Sequence, residues 1–221
     1  MGDSKIMAQN ITLRRTMDYF LEEDALRASA TYAKQFITQA VFISSDDKVL
    51  IWKTACQESS MKGLHLEFGV HTALSLNCLA KMKPKQTWYG FDSFLGLQEN
   101  WRGGYYPKHF FSTYGLLPEV EPNVKLIKGW FNETLLKFFI KHKGIVSLAH
   151  LDSDTYESTK CVLTHLESHL TKGSILLFDE YLGYVGWREG AFKAWQECAQ
   201  HNNIKYQYIA FCNTAALIKL I

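Results

Sequence analysis

Two apolar runs in this chain stop abruptly at acids. "GIVSLAHL" ends in Asp152 and Asp154, within "AHLDSDTYESTK", and "SILLF" ends in Asp179 and Glu180. Runs of this length read as buried strands, so the acids stand at strand ends where a ligand can reach them. If the two strands are neighbours, their ends lie roughly 5 Å apart. Asp152, Asp179 and Glu180 then converge on one small volume, where mutual repulsion calls for a cation. Hard oxygen ligands select Mg2+, Mn2+ or Ca2+ over zinc, with water or substrate oxygens completing the shell. Asp154 reads differently. With Glu157 it has the D-x-x-E spacing of a helix N-cap, ahead of Val162, Leu163, Leu166 and Leu170 at helical spacing. Asp154 is therefore expected to be structural, whereas Asp152 has no capping role to explain it.

Other strand ends carry ligand-type residues too. "LEFGVHTALS" follows the run "LHLEF" and holds a single glycine, Gly69, beside Glu67. A dinucleotide site would need G-x-G-x-x-G here so that amides could approach a pyrophosphate, and Glu67 would repel one. An acid beside a glycine turn suits a ligand with a positive amine; a capped turn with a surface acid is the plainer reading. Asp92, in "GFDSFLGL", follows the next strand about 20 residues on, the position from which an acid grips ribose hydroxyls. A turn aspartate would also satisfy that pattern. In "KGWFNETL", Gly129 permits close approach, and Trp130 or Phe131 could stack on a base or serve as core.

These residues need a scaffold that gathers strand ends. Strand candidates are 64–68, 87–91, 124–128, 145–151, 174–178, 206–211 and 215–220, with helix-compatible stretches near 72–82, 105–116, 131–143, 155–170 and 187–201. Alternation of this kind signals a parallel sheet with helices on both faces. Only "CNT" separates the last two strands, so that pair must be an antiparallel hairpin. Ahead of them, residues 11–40 read as largely helical, and a second helix is expected within "SSDDKVLIWKTACQES", capped by Ser44 or Ser45.

Composition narrows the classes. At 221 residues, 47% apolar and 21% charged, the chain has room for one globular core. A net charge of +2 without a basic run gives no footprint for nucleic acid. No apolar stretch approaches the ~20 residues of a membrane span, and the start lacks the apolar centre of a secretory signal. Cys56, Cys78, Cys161, Cys198 and Cys212 are scattered and odd in number, which argues against a disulfide framework or zinc site and for a reducing cytoplasm. The glycosylation-type matches at Asn10 and Asn132 are then chance.

Taken in order and spacing, "LEFGV", "GFDSFLGL", "KGWFNETL", "LDSDTYESTK" and "LFDEY" resemble class I S-adenosylmethionine-dependent methyltransferases, most closely the macrocin O-methyltransferase family, over roughly residues 60–220. The resemblance implies a Rossmann-like α/β fold with a seven-stranded sheet in the order 3-2-1-4-5-7-6. Residues 1–59 would then form a helical lid or extension. Glu67 and Gly69 would lie at the methionine end of the cofactor, Asp92 at its ribose, and Gly129, Trp130 and Phe131 near its adenine, with Ser75 and Ser93 as further cofactor-binding residues. Asp152, Asp179 and Glu180 would hold Mg2+, with Asp152 and His150 as catalytic candidates. His71, His109 and Lys160 are further candidates for a general base. The implied acceptor is a sugar or another small hydroxylated metabolite, closed over by the aromatic segment 98–122, in a cytoplasmic protein that could pair as a homodimer. Two positions depart from the pattern: Ala73 replaces a glycine usual four residues after Gly69, and Glu180 lengthens the second arm of the acidic pair. The competing readings are a metal-independent methyltransferase of the same fold and a non-catalytic cofactor-binding or interaction protein.

Overall fold

The computed structural model describes residues 16–44, 48–101, 103 and 105–221. Eight strands form one sheet: β1 (Val41–Phe42), β2 (Leu64–Phe68), β3 (Trp88–Asp92), β4 (Val124–Lys128), β5 (Val146–Leu151), β6 (Ile175–Phe178), β7 (Tyr206–Phe211) and β8 (Ala216–Leu220). Their order is β1-β7-β8-β6-β5-β2-β3-β4. From β2 onward this is the arrangement expected from sequence, with β8 antiparallel to both neighbours. The difference is one added edge strand, β1, which pairs parallel with β7. Two residues are too short to show any periodicity, so the sequence carried no signal for it.

β5 lies at the centre and is buried at every position of "VSLAHL", as a strand covered on both faces should be. One face is packed by α4 (Phe131–Lys141), α5 (Tyr156–Leu166) and α6 (Ala191–His201) through Leu135, Phe138, Val162, Leu163 and Trp195. The other is packed by α2 (Lys48–Glu58) and α3 (Leu74–Met82) through Ile51, Trp52, Leu76 and Leu79. Each such side chain contributes about 1.5–3 kcal/mol of transfer free energy, so the strand ends between these layers are held firmly.

α1 (Met17–Phe36) lies on the first face, its Tyr32 ring edge-on to Trp187 and Phe192. It buttresses the β7 side, and none of its residues lines the cleft described below. Of the lid expected from residues 1–59, the described part that does reach the cleft is Lys48. The cap expected at Ser44 or Ser45 falls at the edge of residues 45–47, which lie outside the described residues.

The stretch 105–116 is not helical. It folds back through isolated bridges Leu95↔Ser112 and Trp101↔Tyr106, with left-handed backbone at Tyr105, His109, Phe111 and Tyr114. Pro107 and Gly115 interrupt any helix, and the aromatic rings stack on one another instead, Tyr106 on Phe110 at 4.1 Å. The helix expected from 187 begins as a short 3-10 turn, Trp187–Glu189, and becomes α6 only after Gly190.

Candidate active site

The carboxyl ends of β2 to β6 open into a cleft of about 740 Å3. Gly69 sets its floor. Its φ of +92° suits glycine, and a Cβ there would stand 1.7 Å from the Asp152 carbonyl oxygen. The turn after β2 therefore runs directly against the end of β5, with the Asp152 amide donating to the Phe68 carbonyl at 2.9 Å. Gly69 and Asp152 share one rim because the backbones touch.

Asp92 closes the neighbouring corner. One carboxylate oxygen accepts from the amides of Val70 and His71, both at 2.8 Å, and the other from Phe94 at 2.7 Å. An ionised carboxylate offers about four acceptor positions, so one remains for a ligand hydroxyl. Ser93 lines the cleft beside it, its hydroxyl accepting from the Leu95 amide. Gly129, at φ +141°, receives the chain from β4, its amide bonded to the Asp92 carbonyl at 2.9 Å. Trp130 and Phe131 follow and line the same wall.

Opposite stands the acidic rim. Side-chain oxygens of Asp152, Asp154 and Glu180 come within 4.8 Å of one another, and Asp179 lies within the same distance of Asp152 and His150. Asp154 is not the N-cap expected from its spacing. Thr155 caps α5 by accepting from the Ser158 amide, while Asp154 takes a left-handed φ of 57° and lines the cleft. Burial, reinforced by the Asp179 charge, pushes the Asp152 and Glu180 carboxyls well above the usual carboxylate range. The same causes push Asp154 up to about 7. Among the described residues Lys48 is the one lysine at the cleft to balance these acids. Glu180 also keeps one buried oxygen without a hydrogen-bond partner. Oxygen ligands this close, facing a cleft and only partly balanced by Lys48, fit a hard divalent cation.

Asp179 is the exception. Burial opposes its ionisation, but His150 and Lys48 outweigh it and hold the carboxyl below the usual range. Lys48, the first residue of α2, forms an ion pair with Asp179 and lies 3.5 Å from Glu180.

Three residues expected at the site sit behind it. His150, Glu67 and Ser75 are buried and do not line the cleft. Glu67 accepts from the Ser75 hydroxyl at 3.0 Å and from His150 Nδ1 at 2.8 Å, so its carboxylate is occupied inside the protein. Burial alone would lower the His150 pKa, yet Asp179 and Glu67 on either side push it up to about 10. Held at 2.8 Å by Glu67, with Asp179 3.7 Å from its other nitrogen and no surface on the cleft, His150 does not fit the catalytic role expected of it. Among the other base candidates only His71 lines the cleft. His109 lies on the loop, with Nδ1 3.4 Å from the Leu95 carbonyl, and Lys160 is exposed beside Tyr156 and Glu197.

Lys48 and Tyr184 were missed from sequence and Asp154 was read as a cap, whereas Trp101 and Tyr106 come from the aromatic segment expected to close over the acceptor and line the cleft with Tyr184. Trp101 lies nearly parallel to Tyr106 at 5.8 Å and tilted against Tyr184.

The family model described as Macrocin-O-methyltransferase (TylF) matches residues 107–218, just over half of the chain. A curated tetracenomycin 4'-O-methyltransferase from Streptomyces olivaceus, described as acting on a dimethoxy-rhamnosyl derivative, is 35% identical over 71 residues, 32% of this chain and 25% of that protein. Mycinamicin III 3''-O-methyltransferase from Micromonospora griseorubida is 32% identical over 71 residues, 32% of this chain and 26% of that protein. The matches thus span about a quarter of these curated relatives. Among solved structures, the calicheamicin methyltransferase CalS11 superposes with a TM-score of 0.62 at 19% identity, over 89% of this chain and 91% of that one. The O-methyltransferase NovP does so at 0.58 and 18% identity, over 78% of each. The sheet order places the fold among class I methyltransferases, and the match over residues 107–218 assigns the chain to the macrocin O-methyltransferase family.

Proposed function

We propose that this chain is an S-adenosylmethionine-dependent O-methyltransferase that methylates a hydroxyl of a sugar or similar small metabolite, with Mg2+ at the acidic rim. The observation that carries the reading is the gathering of Asp154, Asp179 and Glu180 around Asp152 at the mouth of a cleft that also holds Gly69, Asp92 and Gly129. A sugar acceptor is suggested by the rhamnosyl derivative in the description of the Streptomyces relative.

When bound, S-adenosylmethionine supplies an electrophilic methyl group, and Mg2+ lowers the pKa of an acceptor hydroxyl. The chain supplies the rest. Asp92 takes ribose hydroxyls on its remaining acceptor position, with Ser93 alongside, and Trp130 and Phe131 flank the adenine. Asp152, Asp179 and Glu180 hold the metal. The acids of the rim also favour a positively charged sulfonium in the cleft. Asp154, lining the cleft beside the metal carboxylates, is the group placed to accept the proton as the acceptor oxygen takes the methyl group. Trp101, Tyr106 and Tyr184 present flat apolar faces to the acceptor and keep water out. Holding oxygen and methyl in line supplies much of the acceleration.

Calorimetric titration of wild type and Asp152→Ala with S-adenosylmethionine, with and without Mg2+, tests both halves. Wild type should bind cofactor and metal; Asp152→Ala should keep the cofactor and lose the metal. Failure to bind cofactor under any condition rejects the enzyme reading. Cofactor binding without any metal binding favours the metal-independent alternative, in which Lys48 is the permanent counter-charge of Asp179.

A further inference from the structure

Lys48 is the one lysine lining the cleft among the described residues, and it pairs with Asp179 and Glu180 while its charge also acts on Asp152 and Asp154. It begins α2, a helix seated on the sheet by Ile51, Trp52, Ala55 and Cys56. Trp52 lies edge-on to His150 at 6.4 Å. The ammonium is thereby carried to the strand ends by a packed element rather than by a loose loop. It pairs with Asp179 and stands 3.5 Å from Glu180, two of the three residues assigned above to the metal. The other Glu180 oxygen is buried without a partner. An ammonium and a divalent ion repel each other strongly at such distances, and both need the oxygens of the same two side chains.

We propose that Lys48 is the resident cation of the metal-free site and competes with the divalent ion for Asp179 and Glu180, so that metal entry displaces its side chain. This rests on the metal half of the proposed function. Lys48 then acts as a positioning residue. It prevents collapse or scattering of the acids while the site is empty, and it sets how much free metal is needed to fill it.

Two measurements test it. Mg2+ titration of Lys48→Met by calorimetry should show roughly tenfold tighter binding than wild type, the size expected when a partly buried like charge is removed. S-adenosylmethionine binding by the same variant reports that it is folded. In wild type, acetylation of Lys48 by an amine-reactive ester, read by mass spectrometry, should rise several-fold on adding Mg2+, while labelling of Lys53 stays constant. Unchanged or weaker Mg2+ binding by Lys48→Met, together with Mg2+-independent labelling in a wild type that does bind Mg2+, would overturn the competition and leave the metal reading intact. Cofactor binding with no Mg2+ binding in either protein would overturn the metal reading itself, and the competition with it.

Discussion

Asp92 and Asp152 end two parallel strands at the same rim, yet their surroundings are opposite. Asp92 receives three backbone amides at 2.7–2.8 Å and fastens the glycine turn to the β3 loop. Asp152 has acids for neighbours, and burial with the Asp179 charge pushes its carboxyl well above the usual range. One carboxylate stabilises the fold and has a lone pair left for a ligand. The other costs stability until a cation arrives. A strand-end acid can therefore be a pin or a site, and its satisfied hydrogen bonds tell which.

Breaking the backbone contact that joins the two corners should cost most. Gly69→Ala sets a methyl 1.7 Å from the Asp152 carbonyl oxygen at a positive φ. We expect a loss of about 3 kcal/mol in urea unfolding, with cofactor binding abolished. A loss below about 1 kcal/mol would mean the corners are not rigidly joined.

Asp92→Asn comes next. Its side-chain nitrogen cannot accept, so at least one amide of the turn is orphaned, for about 2 kcal/mol. Asp152→Asn should do the reverse in metal-free protein, raising stability by about 1 kcal/mol through relieved repulsion while removing the metal. If both variants lower stability alike, the contrast between the two acids is wrong.

Titration sharpens the same contrast more gently. Asp154 rises from an ordinary 3.8 to about 7 on folding, and His150 from 6.5 to about 10. Each group binds its proton more tightly when folded. Its contribution is full below the unfolded value and is lost as pH rises through the folded one. These two groups should therefore withdraw stability from metal-free protein between about pH 4 and about pH 10, offset below about pH 6.5 by buried His65, whose pKa is lowered to about 4. Saturating Mg2+ should flatten the lower half of that slope, because it takes the place of the protons on the acids. Thermal melts across the range, with and without the ion, would show it.

Much of the scaffold was legible along the chain. Short apolar runs ending in Phe68, Phe91, Leu151 and Phe178 marked the central strands, and the three-residue link "CNT" forced the hairpin. Gly69, Asp92, Asp152 and Glu180 were legible for a related reason, since residues just past a parallel strand must lie at its carboxyl edge. His150 and Glu67 misled because they precede that edge. They are register partners on adjacent strands, so the carboxylate and imidazole meet inside the sheet rather than in the cleft. Asp154 misled because Thr155, the better-placed hydroxyl, took the cap. The segment 105–116 has aromatics at spacings compatible with a helix, but Pro107 and a run of left-handed residues fold it back over the site.

Local and periodic features were readable along the chain: which runs are strands, which acids and glycines follow them, and the terminal hairpin, while the sheet order was implied by the family resemblance. Tertiary structure alone decided which acids are compensated. That depends on long-range neighbours such as Lys48 beside Asp179, 131 residues apart along the chain. Electrostatic free energy is set by distance and burial in space, and neither is written in the spacing of residues along the chain.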